Sequence, residues 1–88
     1  MHWFLYILLC DNKSYYVGIT KDLDKRVSEH VNKESRYTKR FNDIELVYTE
    51  KFKTETEVVK REKQIKGWSF NKKKSNTFFK LFFMYWYL

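Results

Sequence analysis

Apolar and polar positions alternate along this chain in blocks that read as strands first and helices later. Trp3–Cys10 (WFLYILLC) is apolar on both faces, the pattern of a central strand covered on two sides. Asp11-Asn12-Lys13-Ser14 is turn chemistry. Tyr15–Thr20 is rich in aromatic and β-branched residues and predicts a second strand, so the two strands form a hairpin. Asp22 is placed to cap a helix running to about Asn32, with Leu23, Val27 and Val31 as its apolar stripe. Lys33–Asp43 is polar and basic and reads as a loop or short helical turn. In Ile44–Phe52, Ile44, Leu46 and Tyr48 alternate with Glu45, Val47 and Thr49, predicting a half-exposed third strand. Thr54 and Glu57 make a capping box for a second helix, whose apolar face is Val58, Val59 and Ile65 and whose end is Gly67.

The chain's 88 residues suit one domain with one core. The single cysteine, Cys10, cannot form an internal disulfide and reads as a small buried hydrophobe. With nothing resembling a secretory signal, the expected setting is the reducing cytoplasm.

Charge changes the picture through its distribution. The formal net charge is +7, and every basic residue from Lys63 onward is a lysine with no acidic residue to balance it. A one-sided basic surface suits a polyphosphate partner, although it is also an ordinary soluble face. Basic side chains interleaved with aromatics at Arg36, Tyr37, Lys39 and Arg40 suit contacts to phosphates and bases, and equally a solvated connector whose aromatics plug the sheet edge. Lys25, Lys66, Lys72 and Lys73 complete the candidate nucleic-acid contacts.

Three polar residues fall where helices turn toward the core. His30 borders the stripe of the first helix, and Arg26 lies four residues before it on the same side. Taken alone, His30 reads as a core histidine bonded to a carbonyl, and Arg26 as a surface arginine with its stem packed down. Glu62 sits in the middle of the second helix's apolar face, between Val58 and Val59 in angle. A carboxylate there is costly unless it is paired or holds a cation. An ion pair with Lys66 or Arg26, a bond to a tyrosine hydroxyl, and a divalent-metal ligand are the alternatives.

Phe4-Leu5-Tyr6 and Tyr16-Val17-Gly18 place two tyrosines ten residues apart across the hairpin, with Arg26 ten residues further and His30 four beyond that. This pattern resembles the GIY-YIG nuclease superfamily, in its small stand-alone bacterial form related to the N-terminal catalytic domain of the excision-repair endonuclease. Glu62 in Arg61-Glu62-Lys63-Gln64-Ile65-Lys66 matches the family's metal-binding glutamate. The resemblance covers roughly Trp3 to Lys74. It departs at the first triplet, which lacks its glycine, at Ile19-Thr20, where some members carry a lysine, and at Lys74, where longer members use an asparagine.

The resemblance implies an α+β domain over residues 1–76: a small three-stranded antiparallel sheet flanked by helices, in the order ββαβα plus a C-terminal helix. It implies a catalytic set of Tyr6, Tyr16, Arg26, His30 and Glu62, with a single Mg2+ or Mn2+ on Glu62. The implied activity is hydrolysis of phosphodiester bonds in DNA, with RNA as a further partner and DNA repair as the setting. The tyrosines would orient or deprotonate water, Arg26 would hold the phosphate, and His30 would relay a proton. The competing class is a non-catalytic nucleic-acid-binding module on the same fold. Side chains alternate along strands, so the two tyrosines share a face only if the sum of paired positions is even, which requires a three- or five-residue loop. Thr77–Leu88 (TFFKLFFMYWYL) fits no part of the pattern and is too short to span a bilayer. It suits packing on the domain or self-association, and a protein-interaction or membrane-surface role would rest on it alone.

Overall fold

The hairpin, the two helices and the third strand form where the residue pattern places them in this computed structural model, which describes residues 2–36 and 38–76. The elements are β1 (Trp3–Cys10), β2 (Ser14–Thr20), α1 (Leu23–Val31), β3 (Ile44–Phe52) and α2 (Glu55–Lys66). Residues 70–76 add a further helical segment. The strands make one antiparallel sheet in the order β2-β1-β3, so the most apolar strand is the central one. Tyr37 and the expectations placed on Thr77–Leu88 lie outside the described residues.

Alternating side chains of β1 feed two cores. Leu5 and Ile7 pack with Val17, Val47, Val58 and Ile65 on the face covered by α2. Tyr6, Leu8 and Cys10 pack with Phe41, Tyr16, Leu23 and Ile44 on the face covered by α1. Burial pushes the Cys10 thiol pKa up, which keeps it an inert hydrophobe.

Local chemistry fixes the joints. The β1–β2 turn is Asp11-Asn12-Lys13, with φ of 52° at Asp11 and 56° at Asn12, a left-handed backbone that these two residue types tolerate. The Asp11 carboxylate accepts the amides of Asn42 (3.0 Å) and Asp43 (2.7 Å), tying this turn to the entrance of β3. Asp22 caps α1 by accepting from the Lys25 amide, and Thr54 caps α2 by accepting from the Glu57 amide. Helix α2 ends at Gly67 with φ −79°, so this glycine terminates the helix without a left-handed turn.

Two expectations about faces are corrected. Val31 is 52% exposed while His30 is fully buried. Helix α1 turns its polar His30 inward because the Tyr6 hydroxyl and Thr38 wait there to bond it. In β3 the alternation slips at a bulge opposite Ile7 and Leu8: Ile7 pairs with Tyr48 and Leu8 with Leu46. The extra residue, Val47, turns into the α2-side core, and Tyr48 follows it there, while Leu46 is left 37% exposed.

Candidate active site

The hairpin register sets the site. Cys10 pairs with Ser14 across a three-residue turn, so Tyr6 faces Gly18 and Tyr16 faces Leu8. The sum of paired positions is even, and both tyrosines lie on the α1 side with ring centroids 6.2 Å apart. Gly18 is needed for close approach. A Cβ built there would lie 2.4 Å from both Cζ and the hydroxyl of Tyr6. The phenol of the first triplet thus lies flat across the glycine of the second.

Helix α1 brings its two polar residues onto this platform. The Arg26 Nε donates to the Tyr6 hydroxyl at 3.4 Å, and its Nη1 donates to Glu29 at 2.8 Å. The Tyr6 hydroxyl and His30 Nε2 are 3.0 Å apart, and His30 Nδ1 lies 2.6 Å from the Thr38 hydroxyl. The His30 ring also stands against both tyrosines, with centroids 5.7 Å from Tyr6 and 5.0 Å from Tyr16. Guanidinium only donates, so the Tyr6 oxygen accepts from Arg26. We assign the Tyr6 proton to the bond with Nε2, and the proton of the neutral imidazole to Nδ1, donated to Thr38.

Electrostatics agree with that assignment. Burial raises the Tyr6 pKa to about 12 against the opposing pull of Arg26, so the phenol keeps its proton at neutral pH. Burial, with Arg26 nearby, lowers the His30 pKa and keeps its ring neutral. The Tyr6 hydroxyl raises the Arg26 pKa, leaving a permanent cation above the tyrosines. Thr38 is fully buried yet lies in the stretch read as a basic loop. No periodicity marks it in the sequence, and only the fold shows it to be His30's partner.

Glu62 stands apart from this network. Its carboxylate, 19% exposed, pairs with Lys66 at 3.4 Å, which realises the ion-pair alternative. Lys66 in turn lines an open groove of about 420 Å³ with Tyr15, Tyr16, Val17 and Lys73. The groove therefore connects Tyr16 with Glu62's partner. Among the described residues no three His, Cys, Asp or Glu side chains gather. A hard cation such as Mg2+ is commonly held by one or two carboxylates, with waters and substrate phosphate completing its shell, so Glu62 is the residue that would hold it. Lys66, 57% exposed, is a partner that can leave.

The remaining candidates are dispersed. Lys25, Arg36, Lys39 and Arg40 are exposed around α1 and the following loop, with Arg40 stacked over Phe41. Lys72 stacks on Trp68, whose ring also carries Arg61. Arg61 bonds Glu50 at 2.9 Å and so ties α2 to β3.

Comparison with known proteins agrees with this architecture. Residues 2–76 match the family described as the GIY-YIG catalytic domain. A UPF0213 protein of Staphylococcus saprophyticus is 42% identical over 71 residues, covering 80% of this chain and 87% of that protein. A UPF0213 protein of Staphylococcus aureus is 39% identical over the same length. Two solution NMR structures share the fold. The UPF0213 protein BH0048 of Bacillus halodurans has a TM-score of 0.59 at 32% identity, covering 91% of this chain and 86% of that one. The E. faecalis protein EF2693 has a TM-score of 0.61 at 30% identity, covering 92% and 88%. The chain that carries this tyrosine platform under Arg26 and His30 therefore belongs to the GIY-YIG catalytic domain family, a nuclease superfamily acting on nucleic acids.

Proposed function

We propose that this protein is a metal-dependent endonuclease that hydrolyses phosphodiester bonds in DNA in the cytoplasm, selecting DNA structure rather than sequence. The observation that carries the reading is the hydrogen-bonded chain Arg26–Tyr6–His30 beside Tyr16 on one face of the sheet. Arg26 spends one N–H on Tyr6 and one on Glu29, and it also engages the Tyr16 hydroxyl. Its remaining N–H groups are available to a phosphate, which a planar guanidinium grips by two bonds. Tyr16, which lines the groove, orients the attacking water. As the new O–P bond forms, the water's proton passes to Tyr16. Tyr16 in turn hands its own phenol proton to Tyr6, whose proton moves to His30 Nε2, while the bond from phosphorus to the departing oxygen breaks. Thr38 holds Nδ1 and so keeps Nε2 the accepting nitrogen. The net transfer is from water to imidazole, with Arg26 stabilising charge on Tyr6 in passing. Glu62 would hold one Mg2+ or Mn2+, whose chemistry there is to polarise the phosphate and stabilise the departing oxygen.

The second reading, a non-catalytic nucleic-acid-binding module, draws on the Glu62–Lys66 pair, which satisfies the carboxylate without a metal. One experiment decides between them: cleavage of nicked, flapped, branched and single-stranded DNA with Mg2+ or Mn2+, comparing wild type with Glu62→Gln. The nuclease reading expects metal-dependent cutting that Glu62→Gln abolishes while binding persists. Absence of cutting on every substrate, with salt-sensitive binding equal in both proteins, establishes the binding module instead.

A further inference from the structure

The groove beside Tyr16 is built from three sources. Tyr15, Tyr16 and Val17 are consecutive residues of β2, so their side chains alternate and the groove wraps the outer edge of that strand. Lys66 comes from the end of α2 and Lys73 from the helical residues 70–76. Lys66 shares its charge with Glu62, whereas Lys73 has no acidic partner among the described residues. Tyr15 is backed by Phe70, with ring centroids 5.1 Å apart, and Phe70 is itself 43% exposed. As an edge strand, β2 also presents backbone groups outward that no other strand among the described residues pairs.

We propose that this groove seats one nucleotide of a single DNA strand next to the scissile phosphate. Lys66 and Lys73 take its phosphates, and Tyr15 on Phe70 is the surface for its base. The inference rests on the nuclease reading only for the position of the scissile bond, because the groove shares Tyr16 with the candidate site. Cationic walls with an aromatic floor are what single strands bind, since every base offers a π-face and every link a charge. A volume of about 420 Å³ lies within the range of about 300–1,000 Å³ that holds small organic ligands. That gives room for one nucleotide. Lys13, Lys51 and Lys60 carry the same charge but line no part of this groove.

The test measures binding of a fluorescent ten-nucleotide oligo-dT and of a hairpin duplex in EDTA, so that cutting cannot intervene. Wild type is compared with Lys73→Ala, with Lys66→Ala/Lys73→Ala, and with Lys51→Ala/Lys60→Ala as the control. Each lost single-strand phosphate contact flattens the slope of log affinity against log salt by about 0.7. At 50 mM salt this weakens binding about eightfold per lysine, and the control pair stays within about twofold of wild type. An oligonucleotide with abasic sites binds wild type more weakly than oligo-dT, and Tyr15→Leu erases that difference.

Unchanged slope and affinity in the double variant, with its circular dichroism intact, overturn the proposal. An equal loss for duplex overturns its single-strand assignment. If wild type cuts DNA and the double variant binds and cuts just as well, the groove is wrong while the nuclease reading stands. If the double variant loses single-strand binding and wild type cuts no substrate, the groove stands and the nuclease reading falls.

Discussion

Replacing Gly18 with alanine tests the geometry that holds the site together. The added Cβ would stand 2.4 Å from Cζ and from the hydroxyl of Tyr6 and 2.9 Å from its Cε1, all far inside van der Waals contact. The ring cannot slide into solvent, because Tyr6 is 1% exposed and packed with Leu8, Cys10 and Phe41. Moving it breaks the 3.0 Å bond to His30. Overpacking of this kind costs about 1–3 kcal/mol. The lost buried hydrogen bond adds about 0.5–1.5 kcal/mol. The alanine returns about 0.5–1 kcal/mol through the lower entropy of the unfolded chain. The net destabilisation is about 2 kcal/mol, or a shift of about 2 M in urea midpoint at an m-value of about 1 kcal/mol/M. Urea titration followed by tryptophan fluorescence reads it. The cause is isolated by repeating Gly18→Ala in a Tyr6→Leu background, where the colliding ring atoms are gone. There the substitution is neutral or mildly stabilising, giving a coupling of about 2 kcal/mol. Equal cost in both backgrounds would falsify the claim that the glycine exists to admit the phenol.

Other expectations follow from the same network. Tyr6 has its pKa raised from 10.0 to about 12, so an unfolded chain loses that proton first as pH climbs. Its contribution is complete below pH 10 and is lost between pH 10 and about 12, about 2–3 kcal/mol in all, and a Tyr6→Phe protein lacks that decline in urea midpoint. His30 has the opposite sign: its lowered pKa means that stability falls as pH drops below 6.5, where the unfolded chain takes up a proton the buried ring resists. Urea midpoints at pH 7 and pH 5 check this, with His30→Gln showing the smaller difference. Thr38→Val strands the Nδ1 proton and costs about 1–3 kcal/mol, Thr38→Ser largely restores stability, and nitrogen-15 shifts of the His30 ring report the loss of a single tautomer. Val31→Lys changes stability by no more than about 0.5 kcal/mol, because the residue that looks like core in the sequence is at the surface.

Element type and order were legible because each rests on local rules that the fold does not override. The apolar β1, the Asp-Asn turn, the Asp22 and Thr54 caps and the terminating Gly67 all act within a few residues of themselves. Parity arithmetic then linked the loop length to the two tyrosines and called for a loop of three or five residues, of which the three-residue turn forms. What failed was facing. A helical wheel treats valine as inward and histidine as border, but His30 finds two buried partners and Val31 none. An alternating strand reads as one inward face until a bulge transposes it, and nothing in Ile44–Phe52 announces that the extra residue is Val47. Thr38 was invisible for a third reason. Its role depends on a contact with a residue eight positions away, through a loop with no periodicity.

Two of these failures, His30 and Thr38, fall on the α1 side of the sheet, and that location has a physical reason. On the α2 side, Leu5, Ile7, Val17, Val58 and Ile65 bury apolar surface in the way that periodicity predicts, and this core holds the fold. On the α1 side a phenol, an imidazole and a threonine hydroxyl take inward positions beside Leu8, Cys10 and Phe41, each buried and each bonded to the next. Buried polar groups of this kind cost stability unless the whole chain of bonds is complete. Among the described residues it is complete, since no buried side-chain polar atom lacks a partner. A chain of that length closes around one fixed proton arrangement, with Nε2 facing Tyr6 and Arg26 above it. An apolar core of the same volume would be simpler to build and would hold no proton to move. The sheet thus sets its apolar core on one face and its proton network on the other. Substitutions at Leu5, Ile7, Val17, Val58 or Ile65 should change stability with little effect on the pH dependence of any cleavage, whereas substitutions at Tyr6, His30 or Thr38 should change both together.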